Sequence, residues 1–486
     1  MAASSLAGVL SDPYYLGRLG WTLALAAGST VLTLVLGVPA AVVFDRYDFP
    51  GKRLLNIILT LPFVVPLVVA ATAILALLGP GGALGLNWPL GPGLMLAANT
   101  FYNYALVVRL TGAFLHGFGP RLEEAARSLG SNPWRVFWRV TLPTARPGVL
   151  AAAALVFLYC FTSLSVPLIL GGGRYNTLEA EIYQLIAYRF RLTEAGSLAL
   201  MQLLVTLAAV LVYVSAQRRS TSGLDFVEWR KPPRRGGLVW LTVNALIALA
   251  LTATPLAALL LRSLHVGGQW SLANYARAFA PPTGLFQVSV AAALVNTVGF
   301  AALTLAVAVP LGVALALAVR SSRSLAMDAL TLLPLGVSSV TIGAGLIIAY
   351  PALRASSAIL IGAYVLAATP FVARAALPTL RSIPRSQLEA ARMLGSSPGQ
   401  LFWRVTWPLL RPAVAAGAAL AFASVAGEFS STLVLARPEW TTLTLLVYDY
   451  LGRPGGLGAA EALSVILLTF TGACFWLLDR GGGRFG

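Results

Sequence analysis

Long apolar runs separated by short polar segments dominate the chain. Each run has about 20 residues, the length that an α-helix needs to cross roughly 30 Å of hydrocarbon. Because backbone polar groups in lipid must be satisfied within the segment, we expect each run to be an α-helix. The pattern predicts eleven spans, at 20–44, 54–78, 94–115, 147–170, 196–216, 238–262, 288–319, 326–350, 356–380, 411–435 and 459–478. The predicted fold class is an all-α polytopic membrane protein.

Composition supports a membrane protein and changes how the net charge is interpreted. Hydrophobic residues are 58% of the 486 and charged residues only 10%, whereas soluble domains have about 25% charged residues. The net charge of +17 would favour nucleic-acid binding in a soluble protein, but here the lipid bilayer is the expected partner. Basic residues are concentrated in alternate loops, as the positive-inside rule requires. The rule predicts a cytoplasmic position for 116–146, 217–237 and 381–410, and an outside position for 79–92 and 171–195.

The polar, Pro- and Gly-interrupted stretch 217–237 predicts a cytoplasmic linker between two domains, 1–216 and 238–486. The second domain begins with the extra helix 238–262, which has no counterpart in the first. We therefore expect that the first domain has lost an initial helix or that its true start lies upstream.

The two domains are related by an internal repeat. Residues 124–130, E-A-A-R-S-L-G, reappear as E-A-A-R-M-L-G at 389–395, an offset of 265 positions (124 to 389). The same offset relates F-W-R-V-T at 137–141 and 402–406, and it still holds for Tyr183 and Tyr448. A gapless register of this length predicts duplication of a whole domain.

The repeated loop, E-A-A-x-x-x-G followed by a proline-bounded stretch, resembles the cytoplasmic loop of permeases in binding-protein-dependent (type I) ABC importers. The resemblance implies two tandem permease domains and a short helix in each loop that docks an ATPase. The small alanines allow close approach to a partner, and the glycine permits the turn that ends the helix. The candidate docking residues are Glu124, Ala125, Ala126, Gly130, Glu389, Ala390, Ala391 and Gly395. The alternative is an interfacial amphipathic connector.

No catalytic signature accompanies the loops. The chain lacks a G-x-x-x-x-G-K-[S/T] phosphate loop, so ATP would be hydrolysed by two copies of a separate ATPase subunit, and this chain would be a transport subunit, not an enzyme. We expect no cofactor. Two histidines and two cysteines are too few and too scattered for a metal site.

Fused double permeases of this size resemble the iron(III) and thiamine group of importers, located in the bacterial plasma membrane. Residues 170–184 and 197–203 look most like the thiamine branch. A soluble binding protein would deliver the solute. Ferric iron is the alternative, followed by other small solutes such as a polyamine or a phosphonate. A secondary transporter would need no duplicated docking loop, and its repeats are often inverted.

One acidic residue, Glu428, falls inside the predicted span 411–435, and Ser163 is its counterpart in the repeat. A carboxylate at membrane depth is costly and usually faces a cavity or a partner. It is therefore a candidate for the substrate pathway, where it would suit a cationic solute. The alternative is a structural hydrogen bond to a neighbouring helix.

Overall fold

The computed structural model is almost entirely helical in the part of the chain that it describes. It describes residues 8–9, 11–118, 121–220, 235–281, 287–320, 322, 324, 327, 331, 333–435 and 437–482. Most of the predicted linker, 221–234, lies outside the described residues.

The first half contains nine helices and is followed by a tenth. They are α1 (Pro13–Arg46), α2 (Lys52–Val64), α3 (Leu67–Leu78), α4 (Pro92–Phe118), α5 (Arg121–Ser128), α6 (Pro133–Phe161), α7 (Ser165–Leu170), α8 (Leu178–Ala187), α9 (Leu192–Ser220) and α10 (Arg235–Ser263).

The second half opens with a small antiparallel hairpin, β1 (His265–Val266) and β2 (Gln269–Trp270), which turns through Gly267 and Gly268 at positive φ. Its helices are α11 (Ala273–Ala278), α12 (Val290–Val319), α13 (Leu333–Gly336), α14 (Ser339–Ala349), α15 (Ala358–Ser382), α16 (Arg385–Met393), α17 (Pro398–Ala426), α18 (Ser430–Val434), α19 (Leu443–Leu451) and α20 (Leu457–Gly482). Single 3-10 turns occupy Pro351–Leu353 and Pro438–Trp440.

Eight helices of the described residues are long and apolar enough to cross a membrane, and they match eight of the predicted spans. The predicted span 94–115 is also one continuous helix, α4. The prediction of a single helix at 54–78 was wrong, because α2 and α3 are separated at Val65 and Pro66. Proline has no N–H to donate and disfavours a helical conformation at the residue before it. The span 326–350 is likewise divided where described, and Ser338 caps α14 there.

The two helices that follow the repeated loops also differ from prediction. The expected spans 147–170 and 411–435 do not run unbroken, because α6 ends at Phe161 and α17 ends at Ala426. A non-helical step then leads into the short helices α7 and α18. Both breaks occur at the same point of the repeat.

Each half uses the same helix contacts. Gly37 on α1 lies so close to α4 that an added Cβ would meet Val107 Cγ1 at 2.7 Å, and an added Cβ at Gly312 on α12 would meet Val372 Cβ on α15 at 2.6 Å. Val107 and Val372 are related by the repeat offset. A glycine at each crossing allows the two backbones to approach closely.

The same first helices also cap the helices on the predicted outer side. The Leu178 N–H at the start of α8 donates to Thr22 Oγ1 (2.8 Å), and the Leu443 N–H at the start of α19 donates to Thr297 Oγ1 (3.0 Å). These paired caps identify α1 and α12 as equivalent helices, which leaves α10 as the added one.

Contacts divide the chain into two compact units, Met1–Phe63 with Ala70–Leu185 and Arg189–Arg262, and Val64–Val69 with Ile186–Tyr188 and Ser263–Gly486. This boundary differs from the predicted one, because nearly all of α10 belongs to the first unit. Leu241 and Ala248 of α10 are buried in one cluster with Ala40, Phe44 and Tyr104. Burial of the α10 side chains therefore follows α1 and α4, a relationship that the position of the linker does not reveal.

Candidate functional site

The repeated loops form two short helices of similar length, α5 and α16. Glu124 and Ala125 are exposed and Ala126 is half-buried, and Glu389, Ala390 and Ala391 have the same three burial classes in order. The structure therefore presents the same side-chain face twice. The small alanine side chains leave the backbone of each helix open to close approach.

Both helices end in the same glycine cap. Gly130 has φ +83° and Gly395 has φ +81°. At each, the glycine N–H bonds to the carbonyl three residues back (2.9 Å), and the next N–H bonds to the carbonyl five residues back (3.1 Å from Ser131, 3.2 Å from Ser396). This is the Schellman arrangement, which requires a left-handed residue that only glycine adopts without cost. The predicted turn role of both glycines is visible in this geometry.

Bare apolar side chains protrude beside each glycine. Leu129 is 86% exposed, and Met393 and Leu394 are 89% and 87% exposed. They are the three most exposed large apolar side chains among the described residues. Side chains of this kind are expected to be covered by a partner when they cluster at one motif.

After the glycine, each loop enters the next span through a capped turn and a widened one. Asn132 accepts from the Arg135 N–H (2.8 Å), and Ser397 accepts from the Gln400 N–H (3.3 Å). The identical F-W-R-V-T segments, Phe137–Thr141 and Phe402–Thr406, are both π-helical. The proline two residues after each segment has no N–H for an ordinary helical bond, and π-turns often mark functional positions.

The two loops are anchored to their domains by different chemistry. Glu123 on α5 forms an ion pair with Arg46 at the end of α1 and accepts a hydrogen bond from Thr141 Oγ1 (2.6 Å). At the matching position of α16 stands Leu388, which is buried in the core cluster of the second unit. The sequence analysis did not single out Glu123 or Arg46, although the Glu-to-Leu difference between the repeats was a usable signal.

Glu428 lies in the break between α17 and α18. One carboxylate oxygen accepts from the Ser431 N–H (3.0 Å) and the other from Ser339 Oγ (3.3 Å). Its backbone carbonyl accepts from Thr432 and Thr444. Glu428 is therefore a half-buried carboxylate that caps a short helix, with both oxygens hydrogen-bonded.

Ser163 occupies the equivalent break between α6 and α7. It is buried, and its Oγ has no hydrogen-bond partner among the described residues. In the first half, the fully buried carboxylate is instead Glu179 on α8, which accepts from Gln202 Nε2 (2.5 Å). The counterpart of Glu179 in the second half is Thr444. An acid and a hydroxyl thus exchange positions between the halves, a relationship that the sequence analysis missed.

Among the described residues, no group of three or more His, Cys, Asp or Glu side chains is placed to hold a metal ion. The geometry of the loops therefore concerns docking and helix movement.

A helical membrane protein with two copies of this loop belongs to the class of importer permeases. A model of the family described as binding-protein-dependent transport system inner membrane component matches residues 33–224 and 308–478. The chain belongs to this family. Both matched regions contain a docking loop, so the chain is a multi-pass permease of an ABC importer with two fused permease domains. Family membership implies a soluble binding protein and an ATPase as partners.

Individual relatives carry different substrates in their names. The thiamine transport system permease protein ThiP of Haemophilus influenzae is 26% identical over 479 residues, covering 90% of this chain and 84% of that protein. ThiP of Escherichia coli is 30% identical over 250 residues, covering 49% and 47%. The sulfate transport system permease protein CysW of Synechocystis is 33% identical over 222 residues, covering 43% of this chain and 79% of that protein. All three are named as permeases, which are transport components rather than enzymes.

Proposed function

We propose that this permease imports thiamine and that α5 and α16 each dock one copy of an ATPase subunit. The observation that carries the docking proposal is the pair of matched loop tips, each with an open glycine cap and an exposed leucine. A partner groove that covers Leu129 and Leu394 would remove apolar surface from water, at a gain of roughly 25 cal/mol per Å².

The number of ATPases follows from the duplication. The exposed acid, the two alanines and the glycine cap recur with the same local geometry, so each loop offers the same surface to the same partner. Two equivalent surfaces on one chain support two ATPase copies per permease.

Co-purification tests the docking. The double variant Leu129→Gln with Leu394→Gln changes two side chains that make little contact with the permease itself, so folding should be preserved. We expect the ATPase to be lost from the purified complex. Leu272→Gln is the matched control, because Leu272 is 67% exposed and lies outside both loops. Retention of stoichiometric ATPase by the double variant would refute the docking role.

The thiamine proposal is supported by the length of the alignments. The Haemophilus thiamine permease aligns along nearly the whole chain, across both fused domains, whereas the sulfate permease aligns with less than half of it. A shared two-domain layout favours a shared group of solutes. The sulfate relative shows that similarity within one domain does not select the substrate.

The substrate is tested on the binding protein, which carries most of the recognition in such importers. The binding protein encoded beside this permease should be titrated with thiamine, ferric iron and sulfate. We expect tight binding of thiamine alone. Binding of ferric iron without thiamine would replace thiamine with the iron alternative and leave the permease class unchanged. A polyamine and a phosphonate complete the panel.

We also propose that Glu428 contributes to the substrate pathway, with Ser163 as its counterpart. Support comes from its place in a broken membrane helix, where transporters commonly form their binding sites, and from its partial exposure. Its two hydrogen bonds fix the carboxylate without neutralising it, so the negative charge would favour a cationic solute.

A further inference from the structure

The turn between α8 and α9 contains a strained aromatic residue. Phe190 has φ +54°, in the left-handed region. The Arg189 N–H bonds to the Gln184 carbonyl (3.1 Å) and the Arg191 N–H bonds to the Leu185 carbonyl (2.9 Å). The hydrogen bonds thus close the end of α8 in a form that normally uses glycine at the position of Phe190.

The repeat shows what this position requires. The counterpart of Phe190, 265 positions later, is Gly455, which also has positive φ (+70°). The second half therefore satisfies the same turn with glycine, flanked by Pro454 and Gly456. A bulky side chain with positive φ is a genuine outlier, and such strain clusters at ligand clamps and other functional positions.

Packing within the described structure does not compensate for this strain. The Phe190 side chain is 80% exposed, and only Leu129, Met393 and Leu394 expose more among large apolar side chains of the described residues. A phenylalanine that is both strained and bare gains nothing from its own domain, so its benefit must come from outside it.

Ion pairs on both sides hold the turn in place. Arg189 pairs with the buried Glu181 (3.0 Å), and Arg191 pairs with Glu194. Tyr14 Oη donates to Glu181 Oε2 (2.8 Å) and Tyr15 Oη donates to Glu194 Oε2 (2.6 Å). The aromatic ring thus stands on a supported base and does not have to be ordered when a partner binds, which lowers the cost of association.

We propose that Phe190 is an anchor for the soluble binding protein and that it sets the orientation in which that protein docks. The inference rests on the proposed importer function. One membrane span, α6, separates the first docking loop from this turn, which places Phe190 on the side from which solute is delivered. The partner surface would have an apolar pocket for the ring and acidic groups for Arg189 and Arg191, whose side chains are 46% and 56% exposed.

The orientation follows from the difference between the repeats. Only the first half has a large side chain at this turn, because the second half presents Pro454, Gly455 and Gly456. A two-lobed partner that faces two otherwise similar halves would gain the anchor in one orientation and lose it in the reversed one. Specificity of this kind is a difference between two affinities.

A lipid contact is the competing role for an exposed aromatic residue beside arginines. The structure favours the protein partner, because both arginines are already paired with glutamates of this chain and a lipid anchor has no need of a left-handed backbone. The experiment includes this outcome.

The test measures the affinity of the purified, thiamine-loaded binding protein for the complete permease–ATPase complex in nanodiscs. The variant Phe190→Asn removes the ring but suits the left-handed backbone, which asparagine tolerates. We expect its affinity to fall about tenfold or more, equivalent to ~1.4 kcal/mol, while its melting temperature is unchanged or higher. Phe190→Tyr should keep the affinity. Trp270→Ala is the control, since Trp270 is 68% exposed in the outer hairpin, and its affinity should stay within about twofold of wild type.

Each outcome separates this inference from the proposed function. Equal binding by wild type and Phe190→Asn overturns the anchor, as does a lower melting temperature with unchanged affinity, which would indicate a lipid or structural role. An equal loss in Trp270→Ala overturns the specific role of Phe190. Failure of the wild-type complex to bind the loaded protein would refute the thiamine proposal, and repeating the titration with the solute that the binding protein does bind then tests the anchor.

Discussion

Arg46, the last residue of α1, forms an ion pair with Glu123 in the first docking helix. The Arg46 and Glu123 side chains are only 16% and 12% exposed. The same guanidinium donates to Thr141 Oγ1 (2.8 Å), which in turn donates to Glu123. Three segments that are far apart in the chain, the end of the first span, the docking helix and the π-turn, therefore meet at one carboxylate.

This contact predicts that the first loop is coupled to its domain through charge. Glu123→Gln should weaken the anchor by about 1–3 kcal/mol, the range for hydrogen bonds to charged groups, and ATP hydrolysis should continue with less transport per ATP. The ratio of solute moved to ATP hydrolysed in proteoliposomes measures this. The charge swap Arg46→Glu with Glu123→Arg should recover part of the ratio.

Asp45→Asn is the matched control for the charge prediction. Asp45 lies next to Arg46 and pairs with His116 (3.2 Å) on α4 without contacting the docking helix in that pair. A coupling loss in Asp45→Asn as large as in Glu123→Gln would mean that general charge at the end of α1 matters, and not the contact to α5.

The glycine caps give a second prediction. Valine at positions 130 and 395 would have to adopt the left-handed backbone, at a cost of roughly 1–2 kcal/mol each, or else disrupt the end of the docking helix. Space is not limiting, because no atom lies within 4 Å of an added Cβ at either site. Transport and ATPase coupling should be abolished while membrane insertion is retained.

Gly51→Val provides the comparison for the double glycine variant. Gly51 has φ +86°, and nothing lies within 4 Å of its added Cβ, so the local strain is the same. It lies between α1 and α2, outside both loops. Full uptake by the double variant, or an equal loss in Gly51→Val, would contradict the docking role of the two glycines.

Helix crossing gives a third prediction, on stability. Alanine at Gly312 would place a Cβ 2.6 Å from Val372 Cβ and 3.1 Å from the Thr369 carbonyl oxygen. Such overpacking typically costs 1–3 kcal/mol, so the melting temperature should fall. Gly299→Ala in the same helix has nothing within 4 Å and should leave it unchanged or raised. Equal melting temperatures would show that α12 and α15 separate without cost.

The sequence was most informative where one motif implies one local geometry. The spacing E-A-A-x-x-x-G predicted a short helix and a glycine turn, and Gly130 and Gly395 have that conformation because it depends on neighbouring backbone atoms alone. Apolar run length likewise located the membrane helices. It could not show the breaks at Pro66 and before Ser163, because hydropathy averages over a window and is insensitive to one lost hydrogen bond.

Contacts between distant segments were beyond the sequence. Arg46 and Glu123 each look like ordinary loop charges, and only the fold brings them together. Phe190 is similar, since its unusual backbone is invisible until its counterpart Gly455 is known to have positive φ. The packing of α10 on the first unit was also hidden, because an apolar helix after a linker is compatible with either neighbour.

The last prediction concerns the charge of Glu428. Glutamine there keeps a carbonyl oxygen that can accept from the Ser431 N–H, and Ser339 Oγ can rotate to accept from the new amide. Glu428→Gln should therefore fold normally, with a melting temperature close to that of wild type. If the carboxylate lowers the barrier to a cation by partly replacing its lost hydration, uptake of thiamine should fall about tenfold with unchanged ATPase docking. Ser163→Ala is the control at the equivalent break, because its Oγ has no partner among the described residues; it should change neither stability nor uptake by more than about twofold if the charge alone matters. Wild-type uptake by Glu428→Gln would assign Glu428 to helix capping, and the proposed pathway role would be withdrawn.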